Sequence, residues 1–151
     1  MSETSEILRI ADGWRTTVDP GDAVLIGNLL QAYALYTDAA LPDQLASLFT
    51  EQATWDGSAL GYAVVTGRDA IVGEVLRHAD PAKPMLHLPG PPLLVRVDDD
   101  TAEVFSWTLA TRHSDGLTKP FIFFSYTDTV VRAVDGWRFA SRHLHLTLPR
   151  P

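Results

Sequence analysis

The sequence contains no cysteine. That excludes disulfide scaffolds, thiolate zinc sites, iron–sulfur clusters and thiol nucleophiles, and leaves nucleophile-plus-base chemistry to Ser or Thr with His. It has no surplus of positive charge: 12 Lys and Arg stand against 19 Asp and Glu, a formal charge of −7. Counterion release from nucleic acid or anionic lipid needs clustered cations, so neither is an expected partner. No apolar run approaches the roughly 18 residues of a membrane helix. Residues 1–6 lack the positive start of a secretory leader, and the apolar run at 7–10 is short and interrupted, so the chain is expected in the cytoplasm. A Gly-x-Ser-x-Gly elbow is absent, and residues 57–61 match neither dinucleotide nor P-loop glycine spacing.

What is present is 151 residues, 46% of them hydrophobic, which suits one domain with its own core. Residues 1–18 read as an arm with Trp14 as a possible anchor, and residues 19–151 as a single domain. Asp19 and Pro20 form a cap and a first helical position, and Leu25, Ile26, Leu29, Leu30, Tyr33 and Tyr36 then recur at helical spacing to about Asp38. Pro42 opens a short second helix, residues 53–57 read as a strand ended by Gly57, and a third helix starts at residues 66–69. Five of the ten prolines fall in residues 80–92, which therefore form neither a helix nor a central strand. Strand-like runs follow, with turns at residues 98–100, 114–116 and 135–136. Helices first and an antiparallel meander afterwards indicate an α+β fold.

Alternation places Phe105, Trp107, Leu109, Thr111 and His113 on one face of their strand and Ala102, Val104, Ser106, Thr108 and Ala110 on the other. Neither face is strongly charged. Such a sheet is either covered on both sides or curved around an apolar pocket.

Five histidines carry the possible chemistry: His78, His87, His113, His143 and His145. His143 and His145 share a strand face, but no further ligands are spaced around them, so no metal site is assigned. The run of Asp98, Asp99 and Asp100 reads as a solvated turn. His87 differs, because it sits among apolar neighbours in the proline-rich segment. A histidine becomes a useful base near neutral pH when a carboxylate orients its other nitrogen, and Asp38, at the end of the first helix, is the candidate.

The run Leu29-Leu30-x-x-Tyr33-x-x-x-x-Asp38, followed by residues 45–55 (LASLFTEQATW), resembles the SnoaL-like branch of the nuclear transport factor 2-like superfamily. Residues 67–71 (GRDAI) and 135–139 (DGWRF) fit the same pattern. The nearest branch holds scytalone dehydratase, bile acid 7α-dehydratase and hexachlorocyclohexane dehydrochlorinase. The resemblance implies a conical barrel in which a curved antiparallel sheet wraps over three N-terminal helices and encloses a pocket. Those enzymes carry an Asp seven residues before the Leu-Ala-Ser run and a His about fifty residues later; Asp38 and His87, 49 apart, match both. The resemblance further implies Tyr33 and Arg142 as catalytic partners, and Trp55, Tyr62, Trp107, His113 and Phe123 as substrate-binding residues. Strand parity puts Arg142 on the face opposite Trp137 and Phe139, so only a β-bulge would return it. Asp38 likewise lies off the stripe of Leu25, Leu29 and Tyr33.

The implied activity is a cofactor-independent, metal-free lyase that performs a dehydratase-type elimination on a hydrophobic cyclic small molecule with a His-Asp dyad. An isomerase or polyketide cyclase with the same dyad, and a non-catalytic small-molecule-binding module, are the alternatives. A homodimer or homotrimer is expected, as is usual for the family.

Overall fold

Asp19 starts the first helix by accepting hydrogen bonds from the N–H groups of Gly21 and Asp22, and Pro20 supplies the preset φ of the first turn. In this computed structural model, which describes residues 10, 12, 13, 15 and 18–146, that helix is α1 (Pro20–Asp38). The side chains of Ser114 and Phe121 are outside the description, as are Trp14 and most of the expected arm. Ala40, at φ 50°, turns the chain sharply after Asp38 into α2 (Pro42–Ser47). Strand β1 (Phe49–Asp56) follows, then a 3-10 turn (Ser58–Leu60), β2 (Val64–Thr66) and α3 (Arg68–Val75). Gly67, at φ 94°, makes the turn into α3, and the Arg68 Nε–H donates to the Phe49 carbonyl at 2.7 Å.

Five more strands follow: β3 (Met85–Pro89), β4 (Leu93–Arg96), β5 (Thr101–Ser114), β6 (Leu117–Ala133) and β7 (Gly136–His145). The sheet order is β2-β1-β7-β6-β5-β3, with β4 also on β5. The fold is α+β, three helices against a curved sheet that stays unclosed. One pairing departs from the expected antiparallel pattern: β1 and β7 run parallel. They are the first long strand and the last, joined through the whole molecule, so no tight hairpin dictates their direction.

The proline-rich segment contains a strand, at the edge of the sheet and not at its centre. β3 holds the free edge of β5 beside residues 108–112, and β4 continues along the same edge beside residues 102–105. Both are edge strands, the place where a missing N–H is tolerated. Gly90 between them donates its N–H to the Trp107 carbonyl at 2.7 Å.

The core lies between the helices and the concave face. Ile26, Leu30, Leu45, Phe49, Ile71 and Phe139 are essentially solvent-free, each side chain contributing roughly 1.5–3 kcal/mol of burial. The inward stripe of α1 is Ile26, Leu29, Leu30, Tyr33 and Ala34, while Leu25 is half exposed. The stripe is therefore rotated from the one expected through Leu25. Asp38, one turn beyond Ala34 and two beyond Leu30, stands at its edge rather than opposite it.

Candidate active site

The open end of the sheet and the C-terminal end of α1 enclose a cavity of about 490 Å³. Its depth is lined by Tyr33, Trp55, Ile122, Phe124, Tyr126 and Leu144, and its mouth by the loop between α3 and β3. Asp38 and His87 meet on its wall. The Asp38 Oδ2 accepts the His87 backbone N–H at 2.8 Å, and its Oδ1 lies 2.5 Å from His87 Nδ1. A carboxylate only accepts hydrogen bonds, so Nδ1 carries a proton, which in the neutral imidazole leaves the lone pair on Nε2. The double contact fixes both the strand and the ring. The imidazole also meets Phe124 edge to face, centroids 6.2 Å apart. Both side chains are mostly shielded, His87 at 18% and Asp38 at 14% exposure.

Two tyrosines, Tyr33 and Tyr126, line the depth of the same cavity. The Tyr33 oxygen accepts from the Trp55 indole N–H at 3.1 Å, and its ring meets that of Tyr126 edge to face, centroids 6.0 Å apart. Its own O–H is thus left to donate. Burial raises the pKa of Tyr33 against the opposing pull of Arg142, and burial raises that of Tyr126 well above its ordinary value. Both phenols are neutral donors at physiological pH. Gly57 makes room for this cluster, since a Cβ there would collide with the Trp55 ring.

Arg142 is buried at 3% exposure, but it is not part of the cavity wall. Its guanidinium lies 3.7 Å from the Tyr126 ring centroid and 4.2 Å from that of Tyr33, with Asp128 Oδ1 3.6 Å from its Nε. This corrects the expectation of direct substrate contact, because the tyrosine rings carry the wall and the cation stacks on them. Arg142 faces inward because β7 carries a bulge: Val130 pairs with Phe139 but Thr129 pairs with Ser141, so Ala140 is extra.

Three expected substrate contacts are also corrected. Trp107 and Phe123 are on the convex face, 44% and 64% exposed, and His113 lies near the end of β5, where its Nδ1 is 3.0 Å from Thr118 Oγ1. None lines the cavity. Alternation had separated the two faces of β5 correctly. The concave face is the one with the small residues Ala102, Val104, Ser106, Thr108 and Ala110, because the helices press against it. Tyr33, Trp55 and Tyr62 do line the cavity. Phe124 and Tyr126 line it as well; their shared parity puts them on one face of β6 but does not say which face the helices cover.

On the convex side His143 Nε2 is 3.5 Å from Asp56 Oδ2, and His145 Nε2 is 2.8 Å from Thr127 Oγ1. Among the described residues no three His, Asp or Glu side chains are arranged to hold a metal ion. Nor is any helix among them long and apolar enough to cross a membrane.

A helix-backed, curved and unclosed sheet with a pocket at one end defines the nuclear transport factor 2-like class. Within it the chain belongs to the SnoaL-like domain family, which it matches over residues 21–143. No curated protein matches it. Among solved structures it is similar to Rv3472 of Mycobacterium tuberculosis, a protein of unknown function, with 25% identity, 82% of this chain and 75% of that one covered, and a TM-score of 0.72. It is similar to a Novosphingobium aromaticivorans protein provisionally described as a scytalone dehydratase, with 26% identity, 81% of each chain covered and a TM-score of 0.67. A Streptomyces avermitilis protein provisionally described as a dehydratase of this class shares the fold, with 17% identity, 87% of this chain and 100% of that one covered, and a TM-score of 0.71.

Proposed function

We propose that the protein is a cofactor-independent lyase that eliminates water from a hydrophobic cyclic hydroxy-ketone. The observation that carries this reading is the Asp38–His87 contact on the wall of an apolar cavity. His87 Nε2 takes the proton from the carbon beside the carbonyl, while Asp38 holds the tautomer and stabilises the imidazolium. The Tyr33 hydroxyl donates to the carbonyl oxygen as negative charge develops there. The C–O bond on the neighbouring carbon then breaks, and His87 returns its proton to the departing hydroxide, so that water and an enone are formed.

The test is enone absorbance across a panel of cyclic β-hydroxy ketones. His87→Gln and Asp38→Asn should each lower turnover by about 10²–10⁴-fold; full turnover by His87→Gln overturns the assignment. Solvent deuterium entering the substrate without net elimination would favour the isomerase or cyclase reading, which shares the first step. Saturable binding with neither exchange nor elimination would favour a binding module. The exposed apolar convex face, with Trp107, Phe123 and Leu88, supports a homodimer or homotrimer, to be read by light scattering.

A further inference from the structure

Trp55 stands near the end of β1, in register with Val65 on β2 and Arg142 on β7, so its backbone is paired on both sides. Its side chain is buried and lines the cavity beside Tyr33. An indole N–H can only donate, and it needs a partner at such a place. The partner is the buried Tyr33 oxygen, at 3.1 Å.

That bond has a consequence for Tyr33. A phenolic proton prefers the plane of its ring, which leaves it two directions. The indole proton occupies one of them, so the Tyr33 proton takes the other. A hydroxyl that accepts a hydrogen bond is also a stronger donor, because the two bonds polarise one another. A donor fixed in advance, at no cost during the reaction, is what a developing oxyanion requires.

The Trp55 ring is itself held in place. The Tyr62 ring meets it edge to face, centroids 5.4 Å apart. On another side lies Gly57, where a Cβ would overlap the six-membered end of the indole. Gly57 has φ −109° and ψ 18°, a conformation that residues with side chains adopt in turns. The glycine therefore supplies space and not backbone freedom. The space sets the pose of the ring, and the pose sets the place of the N–H.

We propose that Trp55 is a positioning residue: its indole N–H directs and strengthens the Tyr33 hydroxyl as a donor, and Gly57 admits the ring pose this needs. The role rests on Tyr33 being the donor to the substrate carbonyl.

Equilibrium dialysis with 1-tetralone and tetralin reads the donor without turnover. The two probes share a ring skeleton, and only the ketone accepts a hydrogen bond. Loss of packing alone moves both affinities together, so the ketone-to-hydrocarbon ratio isolates the hydroxyl. Tyr33→Phe should lower the ratio about tenfold. Trp55→Phe keeps an aromatic ring, loses the N–H and should lower it about threefold. The Tyr33→Phe/Trp55→Phe double variant should match Tyr33→Phe, because Trp55 acts through the Tyr33 hydroxyl. Gly57→Ala keeps the N–H but displaces the ring, and should lower the ratio as Trp55→Phe does. A ratio kept in either Trp55→Phe or Gly57→Ala, while Tyr33→Phe lowers it, would overturn the role of Trp55 and leave Tyr33 as the donor. A further fall from Tyr33→Phe to the double variant would do the same. A ratio unchanged in Tyr33→Phe, or no binding of either probe, would remove the donor itself and the role of Trp55 with it.

Discussion

Asp38, His87 and Tyr33 were legible as residues because the family resemblance matched their spacing; Tyr126 was not, because nothing in one strand's alternation says which face the helices will cover. The ring of Tyr126 packs edge to face on that of Tyr33, and both rings stack on the Arg142 guanidinium. Tyr33→Phe should reduce kcat about 10²-fold, the usual loss for one oxyanion donor. Tyr126→Phe, which keeps the ring contact with Tyr33, should reduce it less. A larger loss in Tyr126→Phe than in Tyr33→Phe would refute Tyr33 as the donor. Arg142 acts one layer further back. Replacing it with Met leaves the buried Asp128 carboxylate without its nearby guanidinium, which should cost about 3–5 kcal/mol in urea unfolding. The effect should be on stability first, in contrast to His87→Gln.

At the scale of elements, helices were the readable part. Asp19, Pro20 and the apolar repeat set α1, and Pro42 set α2, with signals that are local in the chain. Strand geometry was less legible because bulges and partner choice are not local. The parity of β7 counted from Trp137 sends Arg142 outward; the extra residue at Ala140 reverses it. The proline-rich segment could form β3 because an edge strand needs N–H groups on one side only. Deleting Ala140 should close the bulge and leave Phe139, Ser141 and Arg142 opposite Val130, Thr129 and Asp128, so Arg142 still faces the core and His143 the convex side. The expected outcome is a folded variant that loses no more than about 3 kcal/mol in urea unfolding. A variant that fails to fold would show that the bulge shapes the sheet beyond turning Arg142.

Across the whole molecule, α1 is a strut roughly 28 Å long, fastened to the sheet at both ends. At its C-terminal end Asp38 holds β3 through His87. At its N-terminal end Asp22 accepts two hydrogen bonds from Arg132 on β6, at 2.9 and 2.8 Å, and one from the Trp137 indole on β7, at 3.0 Å. The Arg132 guanidinium also lies 4.7 Å from the Trp137 ring centroid. One fastening thus builds the candidate site and the other only holds the cone together, and the second was invisible in the sequence because its partners are 110 and 115 residues away. The two can be separated by pH. The hydrogen bond from Arg132, then that from Trp137, holds the Asp22 carboxyl below its ordinary 3.8. A depressed carboxylate pKa stabilises the fold fully above the unfolded value, and that stability is lost as the pH falls through the lower folded value. Asp22→Asn should therefore lower Tm by a constant amount across neutral pH. The gap to the unmodified protein should close as the acid range below 3.8 is crossed. Ligand affinity at the far end of α1 should be unaffected while the protein stays folded. A Tm gap of undiminished size at the acid end would mean that the Asp22 fastening works by shape rather than charge, and a shift in ligand affinity would mean that the two ends of the strut are coupled.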